Sequence, residues 1–259
     1  STRKESSAAS DVYKRQCVVW ERKCMKDFLM TLVFPHKCAA CGKTMPGKRV
    51  EMLCETCDRQ LHPITEPRCK RCSKPIADIT QELCEDCSQR EYVVSYGKAL
   101  YLYDERMQQV IRQFKYEGRF EIGNYFAERM ADAFGEWIYR ERLDMILPVP
   151  IHKKRLRFRG FNQAAVMAEY LGGCLGMPVL SDLLIRTEDT KPQKTLDMHK
   201  RIANLQKGFA VTKPVVGKRI LLVDDIYTTG ATLEACGKVL KKAGSEKICF
   251  VSLCIGTVS

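Results

Sequence analysis

Eight of the fourteen cysteines fall into four Cys-x-x-Cys pairs: Cys38/Cys41, Cys54/Cys57, Cys69/Cys72 and Cys84/Cys87, with 12, 11 and 11 residues between successive pairs. A Cys-x-x-Cys turn aims two thiolates at one point, and two such turns complete a tetrahedral four-sulfur zinc site. Eight ligands therefore make two closed zinc sites, with no open position for catalysis. Sequential pairing joins Cys38/Cys41 to Cys54/Cys57 and Cys69/Cys72 to Cys84/Cys87, two zinc ribbons in tandem. An interleaved cross-brace uses the same ligands, and spacing alone does not choose between them. Redox dithiols and an iron–sulfur cluster are the competing uses of such pairs, and four evenly spaced pairs disfavour both.

A second run carries different chemistry: Ile220-Leu221-Leu222-Val223-Asp224-Asp225-Ile226-Tyr227-Thr228-Thr229-Gly230-Ala231-Thr232. It reads as a buried strand ending in two carboxylates, then a hydroxyl-rich turn with one glycine that opens a helix. Backbone N–H groups and threonine hydroxyls at a helix N-terminus make an anion site suited to a phosphate. Acids at a strand's carboxyl end are placed to accept hydrogen bonds from a sugar's vicinal hydroxyls. An ordinary N-capped helix explains one Asp and one Thr, but not Asp-Asp followed by Thr-Thr-Gly-Ala-Thr.

The elements around these residues are those of an α/β protein. Helical periodicity runs over 104–114 and 122–139, with a further helix from 162 to about 171. Residues 145–149 make a short buried-strand pattern. Residues 216–223 and 247–253 are apolar strand patterns with a helix over 231–242 between them, which implies a parallel sheet. The chain has 259 residues, 43 Lys and Arg against 31 Asp and Glu for a formal charge of +12, and 45% hydrophobic residues. That composition excludes wholesale disorder. The longest apolar stretch, 248–258, is too short to span a membrane, and no signal-peptide layout opens the chain, so a cytoplasmic location is expected. In that compartment metal ligation is a more natural use of cysteine than disulfides. Eight metal-bound thiolates around two dications lower the +12 to about +8.

Residues 1–16 are polar and patternless. Asp11-Val12-Tyr13-Lys14-Arg15-Gln16 resembles a translated sequencing adapter, which puts the expected native start downstream, at Met25, or leaves the true N-terminus missing; an ordinary disordered tail is the alternative. Three units are therefore expected: a non-native or disordered leader over 1–24, the double zinc ribbon over 25–91, and an α/β domain over 92–259. Cys236, Cys249 and Cys254 lie in apolar patterns and read as core, while Cys17, Cys24 and Cys174 lack partners at ligand spacing. His36, His62 and His199 are surplus to eight sulfur ligands and read as structural or solvent-exposed.

The acid pair and its turn resemble the fingerprint of type I phosphoribosyltransferases, which bind 5-phosphoribosyl-1-pyrophosphate (PRPP) with Mg²⁺. The resemblance extends to the ComF family of competence-associated proteins and covers about residues 34–257. It is carried by the paired ribbons, Phe114-Lys115-Tyr116-x-Gly118, Pro148-Val149-Pro150-Ile151-His152 with Arg155, Arg159-Gly160-Phe161-Asn162-Gln163, and Arg186 with Thr190, Gln193, Leu196, Arg201 and Asn204. It implies a type I phosphoribosyltransferase-like parallel sheet flanked by helices, preceded by the small Cys-rich ribbons. It also implies that Asp224 and Asp225 bind ribose hydroxyls, directly or through Mg²⁺, and that Thr228, Thr229, Gly230, Ala231 and Thr232 hold the 5′-phosphate. The turn after an earlier strand, near Pro150–Arg155, would grip pyrophosphate, and a mobile hood would correspond loosely to 186–201. Enzymes acting on 6-oxopurines carry an Asp three places after the second acid. Thr228 stands there instead, which argues against hypoxanthine or guanine as acceptor.

His152, Lys153, Lys154, Arg155, Arg157 and Arg159 lie in a run with no acid. Three uses compete for it: pyrophosphate, single-stranded nucleic acid with Phe158 and Phe161 stacking on bases, or plain surface. Residues 191–207 read as a polar, basic loop entering a helix, of a kind that closes over transferase sites. Two function classes follow. One is a phosphoribosyltransferase of unknown acceptor; the other is a non-catalytic protein that uses the PRPP fold as sensor or scaffold for single-stranded DNA or competence proteins. Oligomeric state is not legible.

Overall fold

In the computed structural model, residues 36–45, 51–187 and 208–256 are described. The leader, Met25, most of the segment expected to form a hood (186–201) and all of the basic loop (191–207) lie outside them.

Four parallel strands form the sheet: β1 (Tyr96–Leu102), β2 (Met145–Pro148), β5 (Arg219–Tyr227) and β6 (Lys247–Ile255), in the order β1-β6-β5-β2. β5 and β6 are apolar over 220–223 and 248–251 because both faces of an inner parallel strand are covered. Their side chains alternate between two cores. Leu221 and Val223 join one core, with helices α3 (Glu105–Tyr116), α4 (Phe120–Arg140) and α6 (Gln163–Leu175); Ile220 and Leu222 join the other, with α7 (Ala231–Lys242). A short antiparallel pair, β3 (Leu184–Arg186) with β4 (Phe209–Val211), lies in this second core. Helix α5 (Lys153–Arg159) follows β2 and buries none of its residues.

Helix α3 shows how local sequence sets an element. Asp104 caps it by accepting from the Met107 N–H at 2.9 Å, and Met107, Val110, Ile111 and Phe114 recur on one buried face. The two ribbons, with short helices α1 (Glu55–Arg59) and α2 (Glu85–Ser88), divide between the faces of the sheet. Cys38, Met52, Leu53 and Cys57 of the first ribbon pack into the α3/α4 core, while Cys69, Cys72, Cys84 and Cys87 of the second pack into the α7 core. Among the described residues no helix is long and apolar enough to cross a membrane.

Two differences from the sequence patterns matter. β5 does not stop before its acids: Asp224 pairs with Ser252 and Tyr227 with Ile255, so the ladder to β6 carries both carboxylates inside the strand. β1 was not anticipated. Its Tyr-Gly-Lys-Ala-Leu-Tyr-Leu alternates half-buried and buried residues, the mark of an edge strand with one covered face.

Gly123 on α4 faces Phe114 of α3 and Val166 of α6. A Cβ there would lie 2.5 Å from Phe114 Cζ and 2.8 Å from Val166 Cγ1. Alanine gains about 1 kcal/mol of helix propensity over glycine, but crowding a packed core costs about 1–3 kcal/mol, and Phe114 is fully buried with no room to yield. Gly123→Ala is therefore expected to lower the urea midpoint of unfolding. A raised midpoint would show that α3 can move aside.

Candidate functional site

The eight cysteines converge as two sets, Cys38/Cys41/Cys54/Cys57 and Cys69/Cys72/Cys84/Cys87, with all sulfurs of a set within 4.8 Å of one another. The ribbons are thus sequential and the cross-brace is excluded. Cys41 and Cys54 sulfurs are 3.8 Å apart, and Cys72 and Cys84 sulfurs 3.7 Å. Four sulfurs about 2.3 Å from one zinc ion stand about 3.8 Å apart, so the spacing fits the metal. Backbone N–H groups of Ala40 and Cys54 donate to Cys38 Sγ at 3.4 and 3.3 Å. Burial works to raise the Cys38 thiol, but N–H groups of Cys41, Cys54 and Ala40 lower it to about 7. Cys87, pressed against Cys69, is pushed up to about 12. Sulfurs this close cannot all ionise unaided; a central dication removes the conflict.

The carboxyl rim of the sheet holds the second constellation. Asp224 and Asp225 are half-buried on β5, and the Asp225 N–H donates to Asp224 Oδ1 at 2.8 Å. Burial raises the Asp224 carboxyl well above the usual range, and the neighbouring Asp225 charge raises it further. Lys115 Nζ, from the last turn of α3, lies 2.5 Å from Asp225 Oδ2. Lys115 belongs to the Phe-Lys-Tyr-x-Gly run noted in the sequence, yet nothing there placed it on the acid pair: the contact spans the fold.

Beyond Tyr227 the chain turns through Thr228 and Thr229 to Gly230, which adopts φ 75° and N-caps α7. Glycine is required twice over, since a Cβ there would also lie 2.5 Å from Tyr227 Oη. Thr228 is exposed, Thr229 and Thr232 half-buried, Gly230 and Ala231 buried. The first N–H groups of α7 have no partners within the helix and point out of the turn with the positive end of its dipole.

β2 runs parallel beside β5, Pro148 opposite Val223, so α5 opens at the same rim. His152 N-caps α5 by accepting from the Lys154 N–H at 3.3 Å. Lys153 is exposed and Arg155 half-buried, while Arg159 is tied to Gln163 Oε1 at 3.1 Å and lies 5.4 Å over the Tyr116 ring. The two phenylalanines of this run part company. Phe158 is 80% exposed and meets Tyr116 edge-on at 6.3 Å. Phe161 is buried against Phe114 and Phe120 and is a core residue, not a stacking platform. The exposed ring next to Phe158 is Tyr116, 56% exposed.

Residues 29–88 match the double zinc ribbon domain family, and residues 159–257 the phosphoribosyl transferase domain family. Competence protein F of Haemophilus influenzae is 34% identical over 56% of this chain and 66% of its own length. Competence protein ComFC of Streptococcus pneumoniae is 28% identical over 84% of this chain and 99% of its own length. The chain belongs to the ComF family. A purine phosphoribosyltransferase from Pyrococcus horikoshii superposes on 52% of the chain and 79% of its own at 20% identity and a TM-score of 0.35. The acid pair and the glycine turn lie within the stretch that matches the phosphoribosyl transferase domain family, and the eight cysteines within the stretch that matches the double zinc ribbon. Cys236, Cys249 and Cys254 are buried in the sheet and its helix, and burial pushes Cys249 up to about 11, so these thiols behave as apolar core. Of the surplus histidines, His62 meets Asp104 at 2.6 Å and links the first ribbon to the cap of α3, while His199 lies outside the described residues.

The Asp224 environment has a pH signature. Its folded value lies above the unfolded one, so the folded state holds a proton that the unfolded chain gives up near pH 4. Keeping the ionised group buried costs stability that grows as pH rises from there. Asp224→Asn removes that cost. In ligand- and magnesium-free protein its Tm is expected to exceed the wild type's, by more at pH 8 than at pH 5. An equal gap at both would refute the raised value.

Proposed function

We propose that the protein binds Mg-PRPP and uses it as a phosphoribosyl donor. The observation that carries this reading is the half-buried acid pair on β5, followed within one turn by a left-handed glycine at the start of α7. Asp224 and Asp225 would accept the ribose hydroxyls, and Thr228–Thr232 would hold the 5′-phosphate. His152, Lys153 and Arg155, at the neighbouring strand's end, would receive pyrophosphate. Magnesium, bound by few carboxylates and by substrate oxygens, would neutralise the departing diphosphate. The side chains' part is orientation and charge: the transition state places positive charge on the ribose ring, which the carboxylates stabilise, and no protein nucleophile is required. Thr228 three places after the second acid supports an acceptor other than a 6-oxopurine. Calorimetry tests the site. Asp224→Asn with Asp225→Asn should weaken Mg-PRPP at least tenfold while the protein keeps two zinc ions per chain; equal affinity would refute the assignment.

A second reading, single-stranded DNA held at the same rim, is supported by Tyr116 and Phe158. They form an exposed aromatic pair beside a helix with five cationic residues and no acid. Stacking on such side chains is worth about 1–3 kcal/mol per base. Phe158→Ala should weaken binding of an oligonucleotide about tenfold, and Arg155→Ala should make its salt dependence shallower by about one contact. Unchanged affinity in Phe158→Ala with pyrophosphate exchange into PRPP intact would leave only the transferase reading.

A further inference from the structure

The turn assigned above to the 5′-phosphate does not stand on its own helix alone. Glu234, one turn into α7, is only 4% exposed, and its N–H donates to Gly230 O at 2.9 Å. Its carboxylate reaches out of the helix: Oε2 accepts from the Val93 N–H at 2.9 Å and Oε1 from the Val94 N–H at 3.0 Å. Those amides belong to the segment joining the second ribbon to β1. A buried carboxylate with no countercharge is costly, and the nearest cation here is Arg71, whose Nη2 is 3.6 Å from Glu234 Oε1.

Arg71 lies inside the Cys69-x-x-Cys72 turn. Its guanidinium donates to Ser95 O at 2.9 Å and to Val94 O, and sits 3.7 Å over the Tyr92 ring. Its carbonyl accepts from the Gly97 N–H of β1 at 2.8 Å. One side chain thus links a metal-binding turn, the connecting segment and the phosphate helix.

Tyr227 makes a second link. It ends β5, stacks on Phe250 at 5.0 Å, and presents its hydroxyl to Gly230 so closely that only glycine fits. On its other side it belongs to the same buried cluster as Cys69, Cys72, Cys84 and Cys87.

Resting on the PRPP reading, we infer that Arg71 and Glu234 are positioning residues of the phosphate turn, which makes the second zinc ribbon part of the phosphate site. The first ribbon docks on α3 and α4 instead, through Arg106 with Cys57 Sγ, Arg129 with Asp58 and Arg119 with Lys37 O, and among the described residues has no such link. Loss of either positioning residue leaves the other buried and badly paired, and frees α7 to shift at its N-terminus. The pyrophosphate side, built on β2 and α5, is untouched.

The test uses the full chain with its zinc. In Arg71→Met and in Glu234→Ala, amide hydrogen exchange of residues 234–238, the first amides of α7 with helical partners, should accelerate while α3 stays protected. Mg-PRPP affinity should fall at least tenfold, with Mg-pyrophosphate affinity within twofold of wild type. Arg71→Lys and Glu234→Gln, which keep a donor or an acceptor in place, should recover most of the affinity. Unchanged exchange at the turn in both first variants overturns the inference, as does equal weakening of PRPP and pyrophosphate. Accelerated exchange in a protein whose wild type fails to bind PRPP supports the positioning roles and refutes the ligand reading instead.

Discussion

Everything at the rim of this sheet answers one constraint: β5 must run between β6 and β2 with both faces covered. Because Asp224 and Tyr227 stay in register with β6, two adjacent carboxylates are carried to a place where water is scarce. Like charges on neighbouring residues in that setting repel, and Asp224 is held toward its neutral form. The surroundings are organised around that negative charge. α3 delivers Lys115 to Asp225, α7 turns the positive end of its dipole to the same rim, and α5 opens with lysine and arginine next door. A strand of apolar residues alone would have needed none of these.

The ribbons answer a different constraint. A segment of about fifty residues buries too little apolar surface to hold a fold by itself, and four sulfurs at about 3.8 Å supply what the core lacks. Their placement is unequal. The first ribbon braces the long helices, with Arg129 held bidentately by Asp58. The second lies against the face that carries α7, where Glu234 and Arg71 join ribbon, connector and helix. Two similar modules thus stabilise opposite faces of one sheet, and among the described residues only the second touches the element that starts at Gly230.

What could be read from sequence divides along physical lines. Ligand identity was legible, because thiol spacing is local; which pairs close on which was not, because both connectivities satisfy the same spacing. The acid pair and glycine turn were legible for the same reason, and α7 began where its pattern said. The length of β5 was not, since its last rungs depend on β6. β1 was missed although its alternation was present, because Gly97 and Lys98 dilute an apolar signal. Phe158 and Phe161 looked alike in sequence, and only packing against Phe114 and Phe120 separates a core ring from an exposed one. Arg71 and Glu234 are 163 residues apart in sequence and join three elements, so no local pattern could have found them.

The formal +12 overstates the attraction this protein has for anions. Eight metal-bound thiolates return about four negative charges to the ribbons, and the positive charge left over is not spread evenly. It gathers on α5, whose sign is unmixed, beside a rim that already holds two carboxylates and a helix dipole. A ligand suited to that rim must carry anionic groups at both ends, toward α5 and toward α7, with hydrogen-bond donors between them for the acids. A sugar phosphorylated at two positions has that pattern. A nucleic-acid backbone has the anions but repeats them evenly, and would draw its specificity for this site from the exposed Tyr116 and Phe158 rather than from the acid pair. The two ligands would therefore use different parts of the same rim, and α5 is where they would compete.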